Sequence, residues 1–357
     1  MSDAFHVLRY RRADRAEVFA LLDATHSRPA KDRLIRQWDW KYDANPFNRD
    51  DEPYILLLRR GAHIVGMLGT LPLRVSLDGR EHWTSHSCDW VLHPRYRGEG
   101  LGRRLIAQHR ADKPLRFSWQ NERSYRSLRQ RTPGSYASII PLVRPLDFTH
   151  AIRRVTGSRL LSRCGTLLAA VAQRLIRPTR EMVGTDVSVA RVDEFDERFD
   201  VLGRRTCQDH RALLVRDEGY LDWRFMRRPD ATYAVLAATR ASDLLGYVVL
   251  RSAADEAGVL WGYIVDFLVE QRSGSLFALL LGSAVDCLRV AGVKGISCRA
   301  MPPYRGVLYR HGFYPMFWSP PHYFHISLDV PDPGVRTLED VRQWHLTMGD
   351  GDLEMVF

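Results

Sequence analysis

The chain has 357 residues, 45% hydrophobic and 26% charged, a composition that excludes disordered and collagen-like sequences and predicts a folded protein of two domains. Its five cysteines (Cys88, Cys164, Cys207, Cys287 and Cys298) include no Cys-x-x-Cys pair, which argues against a zinc knuckle or a disulfide framework and for reduced thiols. A formal net charge of +10 favours an anionic partner: a phosphate-bearing cofactor, an acidic or nucleotide-linked sugar, or nucleic acid.

From the N-terminus, Val7 to Tyr10 predicts a strand. Asp14 followed by Glu17 has the form of a capping box, and Val18, Phe19, Leu21 and Leu22 give the helical stripe behind it. A second helix is predicted through Arg33, Leu34, Ile35 and Trp38 toward Tyr42. Three strands follow: Tyr54 to Leu58, Ile64 to Val75, and His82 to Leu92, with Asp78-Gly79 as a two-residue hairpin turn. A glycine-rich turn, a helix with Leu101, Leu105 and Ile106 on one face, a short strand (Leu115 to Trp119) and a helix from about Asn121 complete the first unit. Thr149 to Arg180 then carries apolar residues at helical spacing. It predicts a linker helix, or an amphipathic membrane-surface helix across 159–177 with Arg159, Arg163 and Arg174 on its polar face.

The second half repeats landmarks of the first in the same order. Asp39-Trp40-Lys41-Tyr42 before Pro46 matches Asp222-Trp223-Arg224-Phe225 before Pro229. Ile64-Val65-Gly66 matches Leu244-Leu245-Gly246, and Cys88-Asp89-Trp90-Val91 matches Val265-Asp266-Phe267-Leu268. This pattern predicts a duplicated fold. Domains are expected over 1–148 and 183–330, with a helical linker over 149–182 and a tail over 331–357. The two Asp-Trp motifs are read as helix packing, or as aromatic walls of an acceptor site.

The segment Val91-Leu92-His93-Pro94-Arg95-Tyr96-Arg97-Gly98-Glu99-Gly100-Leu101-Gly102-Arg103 opens a helix. Glycines there let the main chain turn sharply, and amides without intrahelical partners suit a pyrophosphate, with Arg97, Arg103 and Arg104 as countercharge. No Gly-Lys-Ser/Thr is present, and the preceding strand belongs to a hairpin meander, so Walker and Rossmann readings fit poorly. This stretch resembles motif A of the GNAT acyltransferases, and the element order of the whole first unit is similar to theirs. The resemblance implies an α/β (α+β) class with two tandem GNAT folds, each a mixed, mostly antiparallel sheet flanked by helices. It also implies an acetyl-CoA or other acyl-CoA co-substrate. Its pantetheine arm would lie along Trp90, Val91 and Leu92, its pyrophosphate on Arg97, Gly98, Glu99, Gly100, Leu101, Gly102 and Arg103, and its thiol near Asn121. Leu128 stands where many relatives place a general-acid tyrosine, which leaves Tyr125, one turn earlier, as the candidate. The second half keeps Tyr309-Arg310-His311-Gly312-Phe313, similar to motif B, but its turn Glu270 to Leu276 has one glycine, and it is expected not to bind CoA.

An amine acceptor must lose a proton before attacking a thioester, and its pKa of about 10.4 calls for a base. Asp89 is the candidate, with His86 and His93 behind it; Asp266 at the matching place also permits a structural reading of Asp89. The tail Trp344 to Asp352 resembles tails of bacterial tandem GNAT proteins encoded near polysaccharide gene clusters. Asp350 and Asp352 are read as a polar terminal turn, or as groups touching substrate or a metal, with no metal site expected. The sequence therefore predicts a cytoplasmic N-acyltransferase acting on a small primary amine such as an amino sugar or amino acid. The other readings are an aminoacyl-tRNA-dependent transferase and a catalytically inactive CoA-binding scaffold. No signal peptide, membrane span or specific nucleic-acid surface is expected, and the oligomeric state is left open.

Overall fold

The computed structural model describes residues 4–130, 132, 134–147, 186–315, 322–329, 335 and 337–351. The expected linker helix, the 159–177 stripe and Asp352 lie outside these residues. Among the described residues no helix is long and apolar enough to cross a membrane, and no group of three or more His, Cys, Asp or Glu could hold a metal ion.

The N-terminal half supplies β1 (Phe5–Arg9), α1 (Arg15–Thr25), α2 (Arg28–Trp38), β2 (Ile55–Arg60), β3 (His63–Leu77), β4 (Arg80–Leu92), α3 (Gly102–Asp112), β5 (Leu115–Gln120), α4 (Glu122–Leu128), β6 (Ser135–Ile139) and β7 (Leu142–Pro145). The C-terminal half supplies β8 (Val187–Val192), α5 (Glu197–Asp209), β9 (Ala212–Leu214), α6 (Glu218–Leu221), β10 (Ala234–Arg240), β11 (Asp243–Ala254), β12 (Leu260–Val269), α7 (Gly274–Val290), β13 (Gly295–Cys298), α8 (Pro302–Arg310), β14 (Tyr314–Pro315), β15 (His322–Leu328) and β16 (Trp344–His345). Asp78 and Gly79, both at positive φ (47° and 78°), form the tight β3–β4 turn that the sequence predicts.

The strands make two open, mostly antiparallel sheets. The first runs β1-β2-β3-β4-β5-β15-β6, with β9 on the long β3 and β16 on β9; the second runs β14-β7-β13-β12-β11-β10-β8. Along the main path of each sheet chain order is broken at one place. β15 lies between β5 and β6 of the first sheet, and β7 lies between β13 and β14 of the second. The halves thus exchange strands, β7 entering the second sheet and β15 the first.

A single hydrophobic cluster runs through both halves, joining Trp38, Tyr42 and Phe117 to Trp223, Phe225, Tyr247 and Trp344. A second fills the space between the second sheet and α7–α8, and a third sits under α3. The two Asp-Trp motifs meet at the junction. Each forms one π-helical turn, Asp39–Asp43 and Asp222–Met226, closed by Ala44 N donating to Asp39 O (2.6 Å) and Arg227 N to Asp222 O (3.0 Å). The wider turn aims the two indoles at each other. Trp40 and Trp223 stack with centroids 5.1 Å apart. Trp40 Nε1 donates to Trp223 O at 2.7 Å, and Trp223 Nε1 to Trp40 O at 3.0 Å. The arrangement is reciprocal.

Trp40→Ala and Trp223→Ala should each lower stability in urea unfolding by roughly 3 kcal/mol. The double variant should lose much less than the sum, because the first truncation already removes the partner's contacts. Additive losses would show that the rings do not support one another.

Candidate functional site

The site grows from one irregularity in β4. Met67 pairs with Val91 and Gly69 with Cys88, so Asp89 and Trp90 bulge opposite Leu68. Asp89 takes φ of +46°, a conformation that Asp tolerates better than most residues. Toward β5 the parallel ladder has two pairs, Ser85↔Arg116 and His86↔Phe117. Beyond them β4 bends away and the strands part.

A groove of about 530 Å³ fills the gap and runs onto the glycine turn, lined by Trp90, Val91, Leu92, Arg97, Gly98, Gly100, Gly102, Arg103 and Asn121, with Arg123 and Ser124. Gly98 and Gly100 have φ of +91° and +75°, where a side chain would be strained. A Cβ on Gly102 would meet the Trp90 ring at 2.9 Å, so the bare glycine lets the indole cover the start of α3. Among the described residues the amides of Gly98, Glu99, Gly100, Leu101 and Gly102 make no hydrogen bond. A bare run of amides at a helix start, flanked by Arg97 and Arg103, suits a diphosphate. Glu99 is exposed and Leu101 is buried under α3, so these two contribute backbone rather than side chains. Asn121 caps α4, accepting from Ser124 N at 2.9 Å.

The groove continues into a chamber of about 370 Å³ between the parted strands, where Asp89 lies with Ser87, Cys88, Gln120, Leu128, His322 and His325. The last two come from β15, the exchanged strand. Asp89 Oδ2 accepts from Lys41 Nζ at 2.8 Å and from the Tyr42 hydroxyl at 2.6 Å; no described residue bonds Oδ1. Tyr42 reaches it because position 69 is glycine, where any Cβ would strike the phenol. Burial, then the charge of Asp89, raises the Tyr42 phenol well above its ordinary pKa and keeps it a donor. His109 also lines the chamber, but burial beside Arg116 and Lys113 pushes it down to about 3, so it takes no proton at neutral pH.

Tyr125 lines neither cavity: its ring stacks on Tyr323 at 3.7 Å and meets Tyr136 edge-on. Leu128 faces the chamber in its stead. His86 is buried flat against Phe117 (4.9 Å), and His93 is half-exposed, accepting from Arg95 N.

Residues 15–111 match the family model for the Acetyltransferase (GNAT) family. The N-terminal half carries a GNAT-type acyltransferase domain. Acyl-CoA is the co-substrate of that class. Solved structures agree on the GNAT fold. A GCN5-related N-acetyltransferase from Anabaena variabilis is 13% identical with a TM-score of 0.60, over 92% of this chain and 73% of that one. N-myristoyltransferase of Saccharomyces cerevisiae with bound myristoyl-CoA is 10% identical at 0.58, over 92% and 83%. A GCN5-related N-acetyltransferase from Kribbella flavida is 16% identical at 0.56, over 98% and 82%. No curated protein matches the sequence.

The sequence did not reveal what surrounds Asp266, the counterpart of Asp89. The fully buried Arg216 holds it at 3.1–3.2 Å, Tyr247 donates to it at 2.8 Å and Thr347 at 2.6 Å. Arg216 also reaches Asp350 at 2.6 Å. The Met348–Asp350 segment is indeed a turn, but a buried one. Burial opposes the charge on Arg216, yet Asp266 and Asp350 outweigh it and hold the guanidinium protonated; burial in turn raises the Asp350 carboxyl. The retained carboxylate at 266 was the available signal.

Two outcomes follow. Gly100→Glu should weaken CoA binding at least ~10-fold by calorimetry, about 1.4 kcal/mol, with an unchanged circular dichroism spectrum. Arg216→Met should cost about 3–5 kcal/mol of stability in chemical denaturation, since it strands two buried carboxylates.

Proposed function

We propose that the protein is a tandem GNAT N-acyltransferase in which the first half binds acyl-CoA and the acyl group, most simply acetyl, passes to the primary amine of a small molecule such as an amino sugar or amino acid. One observation carries the proposal: the bare glycine turn and the Asp89 carboxylate open into adjoining cavities around the same parted strands. A CoA held by its phosphates at one end would bring its thioester toward Asp89 at the other.

In this reading Asp89 is the base. Lys41 and Tyr42 occupy Oδ2 and fix the carboxylate, leaving Oδ1 to take a proton from the incoming ammonium. The freed amine attacks the thioester carbonyl, forming the amide bond as the carbon–sulfur bond breaks, and the extra proton left on the nitrogen passes to the departing sulfur. The CoA thiolate, of pKa about 8.5, leaves without an acid from the chain, which agrees with Tyr125 lying outside the cavities. His322, His325 and Gln120 would face the acceptor. The second half frames that pocket and stabilises the first, and the site is expected to act in the cytoplasm.

The test is acetyl-CoA turnover over a panel of amino sugars and amino acids. Asp89→Asn should lower kcat by roughly 10²–10⁴-fold with little change in acyl-CoA binding, whereas Tyr125→Phe should stay within about threefold. Full kcat in Asp89→Asn would remove the base assignment. CoA binding with no turnover of any amine would favour the scaffold reading, and turnover with aminoacyl-tRNA alone the tRNA-dependent one.

A further inference from the structure

The C-terminal half has its own parting strands. β12 and β13 pair from Gly262↔Ile296 to Ile264↔Cys298, and then β12 runs on beside β11 without β13. The space beyond is occupied by the chain itself. β16 pairs with β9, the His345 ring bonds Phe267 O through Nε2 at 2.9 Å, and Thr347 reaches Asp266. The C-terminal segment thus contacts β12 at the residue matching Trp90, where the first half has its groove.

What remains open is a chamber of about 30 Å³, room for roughly two waters or one small anion and far too little for a CoA. Three polar atoms of its lining residues are buried and make no hydrogen bond in the structure: His210 Nε2, the Tyr304 hydroxyl and His345 Nδ1. Their residues are 5%, 1% and 2% exposed. Buried polar atoms are rarely left unsatisfied. Arg272 lines the same chamber and has no ion pair or hydrogen bond among the described residues. It is held there by a strained turn, Gln271 and Arg272 lying at φ of +51° and +52°. Arg211 and Arg342 also line it, paired with Asp78 and Asp340, and the nearby Asp209 is engaged by the Gln271 amide at 2.6 Å. Cationic walls disfavour a metal ion.

We propose that this chamber is a binding site for a small oxyanion of the phosphate class, either free phosphate or the phosphate end of a monoester. Tyr304 donates its hydroxyl, Arg272 supplies the charge, and the two imidazoles close the back. Burial, aided by Arg272 and Arg216, holds His210 down to about 3, and burial lowers His345 as well, so in the free chain both rings are neutral and the guanidinium groups carry the attraction.

The test is calorimetric titration of the full chain with inorganic phosphate and, separately, glycerol 3-phosphate. It is run with CoA saturating the first half, and repeated on Gly100→Glu without CoA. One phosphate per chain is expected in both, with affinity reduced about tenfold or more by Arg272→Gln and by Tyr304→Phe, while CoA affinity is unchanged. Tighter binding of the monoester would identify an esterified ligand, and equal or weaker binding free phosphate; both support the site. No binding in either background, or unchanged affinity in Arg272→Gln, would overturn it. Failure of wild type to bind CoA would instead strike the proposed function, since the Gly100→Glu arm reads phosphate alone.

Discussion

A strand that leaves its neighbour bares a row of amides and carbonyls, and a protein cannot bury such a row without giving it partners. Both sheets meet this requirement at the same place, after a short parallel ladder. In the first, the bulge at Asp89 bends β4 outward and the bared edge faces a wide groove. In the second, the edge faces the chain's own C-terminal segment, with His345 on the Phe267 carbonyl and Thr347 on Asp266. In one half that edge is left open to a groove, and in the other the chain itself covers it.

The Asp-Trp motif links the two outcomes. Its indoles clasp across the junction, and the residue after each tryptophan turns to its own half's affairs. Lys41 neutralises Asp89 beside the groove. Arg224 instead donates to the carbonyls of Gly349 (3.1 Å) and Gly351 (2.6 Å), pinning the C-terminal segment. Since both π-helical turns share the stacked rings, the geometry around Asp89 is mechanically tied to the packing of the segment that fills the other half. Replacing a lysine by an arginine at matching positions exchanged a point charge for a fork able to hold two carbonyls.

What could be read from the sequence was local. The glycine turn, the helix behind it, the meander and the Asp78-Gly79 hairpin are each written within a dozen residues, and the structure has them within a residue or two at most ends. The place of Asp89 at the end of β4 was readable, but not what holds it. Its ion pair with Lys41 spans 48 residues, and the Arg216–Asp350 bridge spans 134; no periodicity reports contacts of that range. The repeated tryptophans were visible as a repeat, but their mutual stacking depends on how two halves dock. Tyr125 shows the converse. It stands one turn before the place the resemblance marks, and β15 brings Tyr323 against its ring, outside both cavities.

The traded strands have a topological consequence. Each sheet has one strand of the other half inserted within its path: β15 is held on both sides, by β5 and β6, and β7 likewise by β13 and β14. Severing the connection between the halves would therefore not release two self-sufficient modules. Either fragment, expressed alone, would have a vacant slot in its sheet and a surplus strand with no slot to enter. Such fragments would regain order by complementation, like two hands that close only around each other.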